Sequence, residues 1–136
     1  MGSPAIKLCR RPSEVVLTKA AWSLLAYGVY IASAGVVMLV VPQLFMLLLG
    51  LPEGSETALR FGGVLALALG FYDVLAARAE LVTFFRWSLF PRSFAFVVFA
   101  ALFALGKAPA GVLLVGIADL ASVGWTWLAL RADAKT

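Results

Sequence analysis

The chain of 136 residues carries more apolar surface than a core of that size can hide, with 63% hydrophobic and only 13% charged residues, against about 45–50% and about 25% in ordinary globular domains. Its formal net charge of +4 does not point to nucleic acid, because the basic residues flank apolar runs and form no stripe, as topological signals in membrane proteins do. A single cysteine, Cys9, and no histidine exclude an internal disulfide and remove the commonest ligand of zinc and haem centres.

Residues 1–19 read as a basic juxtamembrane arm, in which Lys7, Arg10, Arg11 and Lys19 outnumber Glu14 and two prolines, Pro4 and Pro12, discourage a continuous helix. Cys9 beside Arg10 and Arg11 is a candidate reactive thiol or lipidation site, or else an inert residue of the arm. The apolar run that follows has full spanning length and no small-residue cleavage site, so it reads as a retained helix instead of a cleaved signal. It covers about Ala20 to Val41, and Pro42 closes it. Gln43 to Leu51 is too short to cross and predicts a brief helix or turn at the outer interface. In the polar loop behind it, Ser55 is a candidate N-cap, with Glu56 favourable in the first turn of a second crossing over about Thr57 to Ala79.

Glu80 to Arg92 mixes aromatic residues with Arg86 and Arg92, a composition suited to the headgroup layer, and predicts a second interfacial segment. A third crossing from about Ser93 to Leu105 is short unless it starts before Pro91 or Lys107 snorkels. Gly106 to Pro109 makes a tight turn, and a fourth crossing runs from about Ala110 to Leu130, leaving Arg131, Asp133 and Lys135 in water. The expected fold is therefore all-α, a single four-helix transmembrane bundle over residues 1–136 with short interfacial segments after its first two crossings. Nine Lys and Arg on one side, Arg92 among them, against Arg60 and Lys107 on the other predict both termini in the cytoplasm.

Two acids fall inside crossings, Asp73 and Asp119, where an aspartate costs about +2.5 to +3.5 kcal/mol at a helix centre. In the second crossing Gly63, Ala66, Gly70, Asp73 and Ala77 share one face, a small-residue stripe that admits close helix approach. In the fourth, Gly116, Asp119, Ser122 and Thr126 share a polar face. The first offers Ser23, Tyr27 and Tyr30 as hydroxyl donors, so three helices are expected to converge on a polar centre that either binds a ligand or proton or merely locks the packing. Arg78 is poorly spaced to pair with Asp73 within the helix. Phe94, Phe96, Phe99, Phe103, Trp125 and Trp127 are candidate walls for a flat apolar ligand, or else lipid-facing rings. No metal-spaced cluster, phosphate loop or nucleophile with a base occurs. A weak echo between Gly70–Phe71 before Arg78 and Gly124–Trp125 before Arg131 suggests a two-plus-two duplication, or the usual composition of helix ends.

Tyr27–Gly28, Leu51–Pro52, Gly70–Phe71–Tyr72–Asp73 before Arg78, and Asp119 before Trp125–Thr126–Trp127–Leu128 together resemble small bacterial four-helix membrane proteins of the BphX-like and DoxX-like kind. The resemblance implies a multi-pass protein of the bacterial inner membrane and carries no catalytic residue; Tyr72, next to Asp73 in sequence, joins the candidate ligand or proton site. The expected function is non-enzymatic, through interaction with membrane lipids and with other membrane subunits or further copies of the chain, with no nucleic-acid partner. A carrier using Asp73 and Asp119, and a quinone-site or redox accessory subunit, are the alternatives. No cofactor is expected, though bound lipid or quinone fits the aromatic helices.

Overall fold

A computed structural model describes residues 16–135; Lys7, Cys9, Arg10, Arg11 and Glu14 lie outside the described residues. The described chain is helical throughout: α1 (Lys19–Val40), α2 (Pro42–Leu49), α3 (Glu56–Arg78), α4 (Val82–Ala104) and α5 (Gly111–Ala134). Four of these, α1, α3, α4 and α5, have 22, 23, 23 and 24 residues and are apolar enough to span a bilayer, at a rise of about 1.5 Å per residue across a hydrocarbon layer of about 30 Å. The protein is an all-α, multi-pass membrane bundle.

The third crossing departs most from expectation. It begins at Val82 instead of Ser93 and runs unbroken through Pro91, so the run expected to lie at the interface is its first half and forms no separate interfacial segment. Thirteen residues from Ser93 would span only about 20 Å, whereas the longer helix crosses fully. Pro91 costs one backbone hydrogen bond, a defect that neighbouring helices make tolerable in membranes. Pro42 does close the first crossing, and it sits at the start of the short α2. Ser55 occupies the N-cap position of α3, but its hydroxyl donates to the Pro52 carbonyl at 2.8 Å and caps nothing.

The tightest packing joins α1 and α3 through glycines placed reciprocally. A Cβ on Gly70 would lie 2.6 Å from the Gly28 carbonyl oxygen, and one on Gly35 would lie 2.7 Å from that of Gly63. Backbone therefore meets backbone along the Gly63, Ala66, Gly70 face, and no side chain larger than hydrogen fits at the crossing points. α5 packs on both α1 and α4, while α3 and α4 scarcely touch. Gly116 of α5 receives the Phe96 ring, whose Cδ2 would stand 3.1 Å from an added Cβ. The proposed echo between α3 and α5 does not extend to packing: Gly70 is pressed on α1, whereas nothing lies within 4 Å of a Cβ built on Gly124.

The end of the bundle that holds the start of α1 and the end of α5 is fastened by carboxylates. Glu80 closes α3 in the left-handed conformation, φ 53°, with Leu81 N–H donating to the Ala76 carbonyl and Glu80 N–H to that of Ala77, a geometry in which glycine is usual. Here the side chain is used: Glu80 accepts from the Thr18 backbone N–H and hydroxyl, both at 2.8 Å. Asp133 accepts from the Lys19 and Ala20 N–H groups at 3.4 and 2.9 Å. Two acids thus meet the unpaired N–H groups and positive dipole end of α1, beside a small core of Ala20, Ala21, Leu24, Ala76, Ala77, Phe85 and Ala129.

Replacing Gly70 with alanine should cost about 1–3 kcal/mol through overpacking. The matched Gly124→Ala change should be neutral or stabilising by up to about 1 kcal/mol. Thermal unfolding of both variants in the same detergent checks the contrast.

Candidate functional site

Two interior acids and one interior arginine organise the centre of the bundle. Asp73 on α3 and Asp119 on α5 are each 7% exposed, and Arg92 on α4 is 6% exposed. Arg92 is placed there by the early start of α4, which moves it from the expected headgroup layer to mid-helix, ten residues after Val82.

Each spanning helix supplies one member. The Arg92 Nη2 atom lies 3.6 Å from Asp73 Oδ2, an ionic contact longer than a hydrogen bond. Its guanidinium carbon stands 3.5 Å from the centre of the Tyr27 ring on α1. The Tyr27 hydroxyl donates to Asp119 Oδ1 at 2.8 Å. The result is a continuous sequence Asp73–Arg92–Tyr27–Asp119 joining α3, α4, α1 and α5. Stacking a desolvated guanidinium on an aromatic face contributes about 2 kcal/mol, and the opposed charges offset part of the cost of burial. Both Nη atoms of Arg92 nevertheless have no hydrogen-bond partner among the described residues, and the cluster holds two carboxyl groups against one cation.

Other expected site residues divide. Thr126 is fully buried and its hydroxyl accepts from Ser23 at 3.0 Å, toward the fastened end of the bundle. Ser122 donates to the Asp119 backbone carbonyl at 2.6 Å and does not reach the carboxyl group. Tyr30 is half exposed with its ring 6.2 Å from that of Tyr27. Tyr72 is 59% exposed and points away from the centre; the residue before a buried helical position lies about 100° round the axis, so adjacency to Asp73 placed it on the lipid side. Arg78 is exposed, and Arg92 takes the role of partner to Asp73.

The aromatic residues of α4 and α5 do not converge. Phe94, Phe103, Trp125 and Trp127 are exposed, whereas Phe96 and Phe99 pack toward Gly116. Trp127 instead carries the Arg131 guanidinium 3.8 Å above its ring. An open groove does exist between α1 and α5, lined by Ala26, Tyr27 and Tyr30 of α1 and by Ala118, Ala121, Ser122 and Trp125 of α5. A second groove lies between α1 and α3 near Val36 and Leu67. Among the described residues no three of His, Cys, Asp and Glu gather as metal ligands.

Substituting Arg92 with methionine strands Asp73 in the interior and should destabilise the bundle by about 3–5 kcal/mol. Pairing it with Asp73→Asn should recover a large part of that loss. A double-mutant cycle on unfolding in detergent measures the coupling, and additive costs would deny the pair an energetic role.

No protein-family model matches the chain, and no curated protein or solved structure matches it.

Proposed function

We propose that this is a non-enzymatic protein of a bacterial inner membrane that binds or carries a small amphiphilic molecule at the Asp73–Arg92–Tyr27–Asp119 centre. The observation behind this reading is the mid-helix Arg92, nearly fully buried, with two nitrogens lacking a hydrogen-bond partner among the described residues. A bundle needing only to hold itself together gains more from apolar contacts of the same volume than from such a cluster. Intramembrane ionisable groups facing a bundle interior characteristically mark ligand, ion or proton paths.

The small-residue faces no longer favour a purely adhesive role. Gly63 and Gly70 are consumed by α1, and Gly116 by Phe96, so they are not free seams for other chains. A subunit role is still favoured by one observation, the sparse packing of α3 against α4, which leaves a side of the bundle for another membrane helix. Co-purification from native membranes distinguishes the two. The carrier reading expects a small molecule retained by the wild type and lost from Asp119→Asn and Asp73→Asn variants that remain folded. Retention by both variants would refute it, and a stoichiometric protein partner in its place would establish the subunit role.

Orientation belongs to the same proposal. With Arg92 removed to the interior, Lys7, Arg10, Arg11, Lys19, Arg78, Arg86, Arg131 and Lys135 flank one side against Arg60 and Lys107 on the other. That bias favours cytoplasmic termini. A cysteine introduced at Lys107 should react with a membrane-impermeant maleimide in whole spheroplasts, and one at Lys135 only after lysis.

A further inference from the structure

We infer that the centre carries one exchangeable proton on its two acids and trades it with water on one side of the membrane only, the side holding Thr18 and Asp133, through the buried hydroxyls of Ser23 and Thr126. The inference adds a proton site to the centre and needs no bound amphiphile.

Charge calls for the proton. Asp73 and Asp119 are each 7% exposed and Arg92 is 6% exposed. Arg92 stands 3.6 Å from Asp73 and also faces Asp119, across the Tyr27 ring whose hydroxyl that acid holds. One cation therefore serves two acids, and with both ionised the centre keeps a net negative charge in hydrocarbon, which is costly. A proton on either acid removes that charge and needs no extra volume. Because both acids address the same guanidinium, they titrate as a coupled pair and the proton belongs to the pair. The titratable and charged groups facing them are Tyr27 and Tyr30 of α1 and Arg92 of α4, while α2 contributes none.

The other buried polar groups give the side. Among the described residues, the buried polar side chains besides these three are Ser23, Ser88 and Thr126. Ser23 comes four residues before Tyr27 on α1, Ser88 four before Arg92 on α4, and Thr126 seven after Asp119 on α5, so all three are displaced from the centre toward the same end of the bundle. The Ser23 and Thr126 hydroxyls meet at 3.0 Å, and the Ser23 hydroxyl also lies 2.7 Å from the Ala20 carbonyl. The Ala20 N–H in turn donates to Asp133 at 2.9 Å, where the bundle ends. Ala20, Ser23 and Tyr27 follow one another at about 4.5 and 6 Å along α1, steps that internal water bridges. The unpartnered Nη atoms of Arg92 offer such water hydrogen-bond donors at the inner limit of the route. Toward the opposite end no buried polar side chain occurs among the described residues, and residues 94–104 of α4 and 111–118 of α5 are wholly apolar, so that half holds no relay.

The end with the hydroxyls is closed by the apolar core of Ala20, Leu24, Ala77, Phe85 and Ala129, which excludes hydrated ions. A hydroxyl instead passes a proton by accepting one and releasing another. On release, an acid of the pair gives its proton to water, the hydroxyl pair hands one on, and one leaves beside Asp133; the centre gains one negative charge and the medium one proton.

The test uses the full chain with a C-terminal affinity tag, reconstituted so sparsely that sealed lipid vesicles hold single chains, and captured by the tag so that the termini face outward. The probe is dicyclohexylcarbodiimide, which couples to protonated carboxyl groups in apolar surroundings; adducts on Asp73 and Asp119 are read by peptide mass spectrometry. Raising the external pH should lower the labelling, whereas raising the internal pH should leave it unchanged. A Ser23→Ala, Thr126→Val double variant should lose the external response over the time in which the wild type completes it. The exchanged pair Ser23→Thr, Thr126→Ser keeps both hydroxyls and should retain the response. Thermal unfolding checks that each variant is folded, and the near-isosteric Thr126→Val alone supplies the reading if the double variant is not. Labelling that follows the internal pH would overturn the sidedness, and an unchanged response in the folded hydroxyl-free variant would overturn the route. Labelling absent or constant at every pH would overturn the proton site itself. Each outcome is read without added ligand, so retention of an amphiphile by the wild type stands or falls separately.

Discussion

A guanidinium cannot be left alone in hydrocarbon, and the centre of this bundle is arranged around that constraint. Insertion of an arginine at mid-helix costs about +2.5 to +3.5 kcal/mol, and Arg92 does not snorkel away: it is buried against Asp73 of α3 and the Tyr27 ring of α1. Asp73 meets its charge, Tyr27 covers one face of the guanidinium, and Asp119 in turn fixes the Tyr27 hydroxyl. Because α3 and α4 scarcely pack on each other, the Arg92–Asp73 contact links helices that apolar contact leaves almost separate. Polar interaction does there what side-chain packing does elsewhere in the bundle.

The apolar packing and the polar centre are also one feature. A Cβ on Gly28 would lie 3.0 Å from Cβ of Asp73, so the absent side chain at Gly28 is what lets Asp73 reach the level of its neighbour Tyr27. A bulkier residue would push α1 from α3 and open the sequence from Asp73 to Asp119 at its middle. The glycine pairs thereby set the spacing at which an ionic contact of 3.6 Å and a ring contact of 3.5 Å coexist.

Sequence conveyed the membrane, the number of crossings and the inward faces of Asp73 and Asp119, since each rests on composition or on the 3.6-residue period. The Gly63, Ala66, Gly70 face and the hydroxyl of Tyr27 were legible for the same reason. Arg92 was not, because an arginine just after a proline in an aromatic run has the local character of an interface. The signal that could have found it was length: thirteen residues are too few to cross, and extending the helix back to Val82 makes Arg92 central. Tyr72 was misplaced by adjacency to Asp73, where angular position outweighs neighbourhood in sequence. The carboxylate fastening by Glu80 and Asp133 joins residues as far as 113 positions apart, a pairing no local pattern reports.

That fastening orders events in time. The opening turn of α1 leaves the ribosome well before α5, and Asp133, an acceptor for its backbone, is made 113 residues after Ala20. During synthesis α1 must enter the bilayer with that turn hydrated or held by other groups, and α5 completes the contact by arriving. Final registration of α1 against α5 is therefore a post-insertion step governed by the arrival of Asp133.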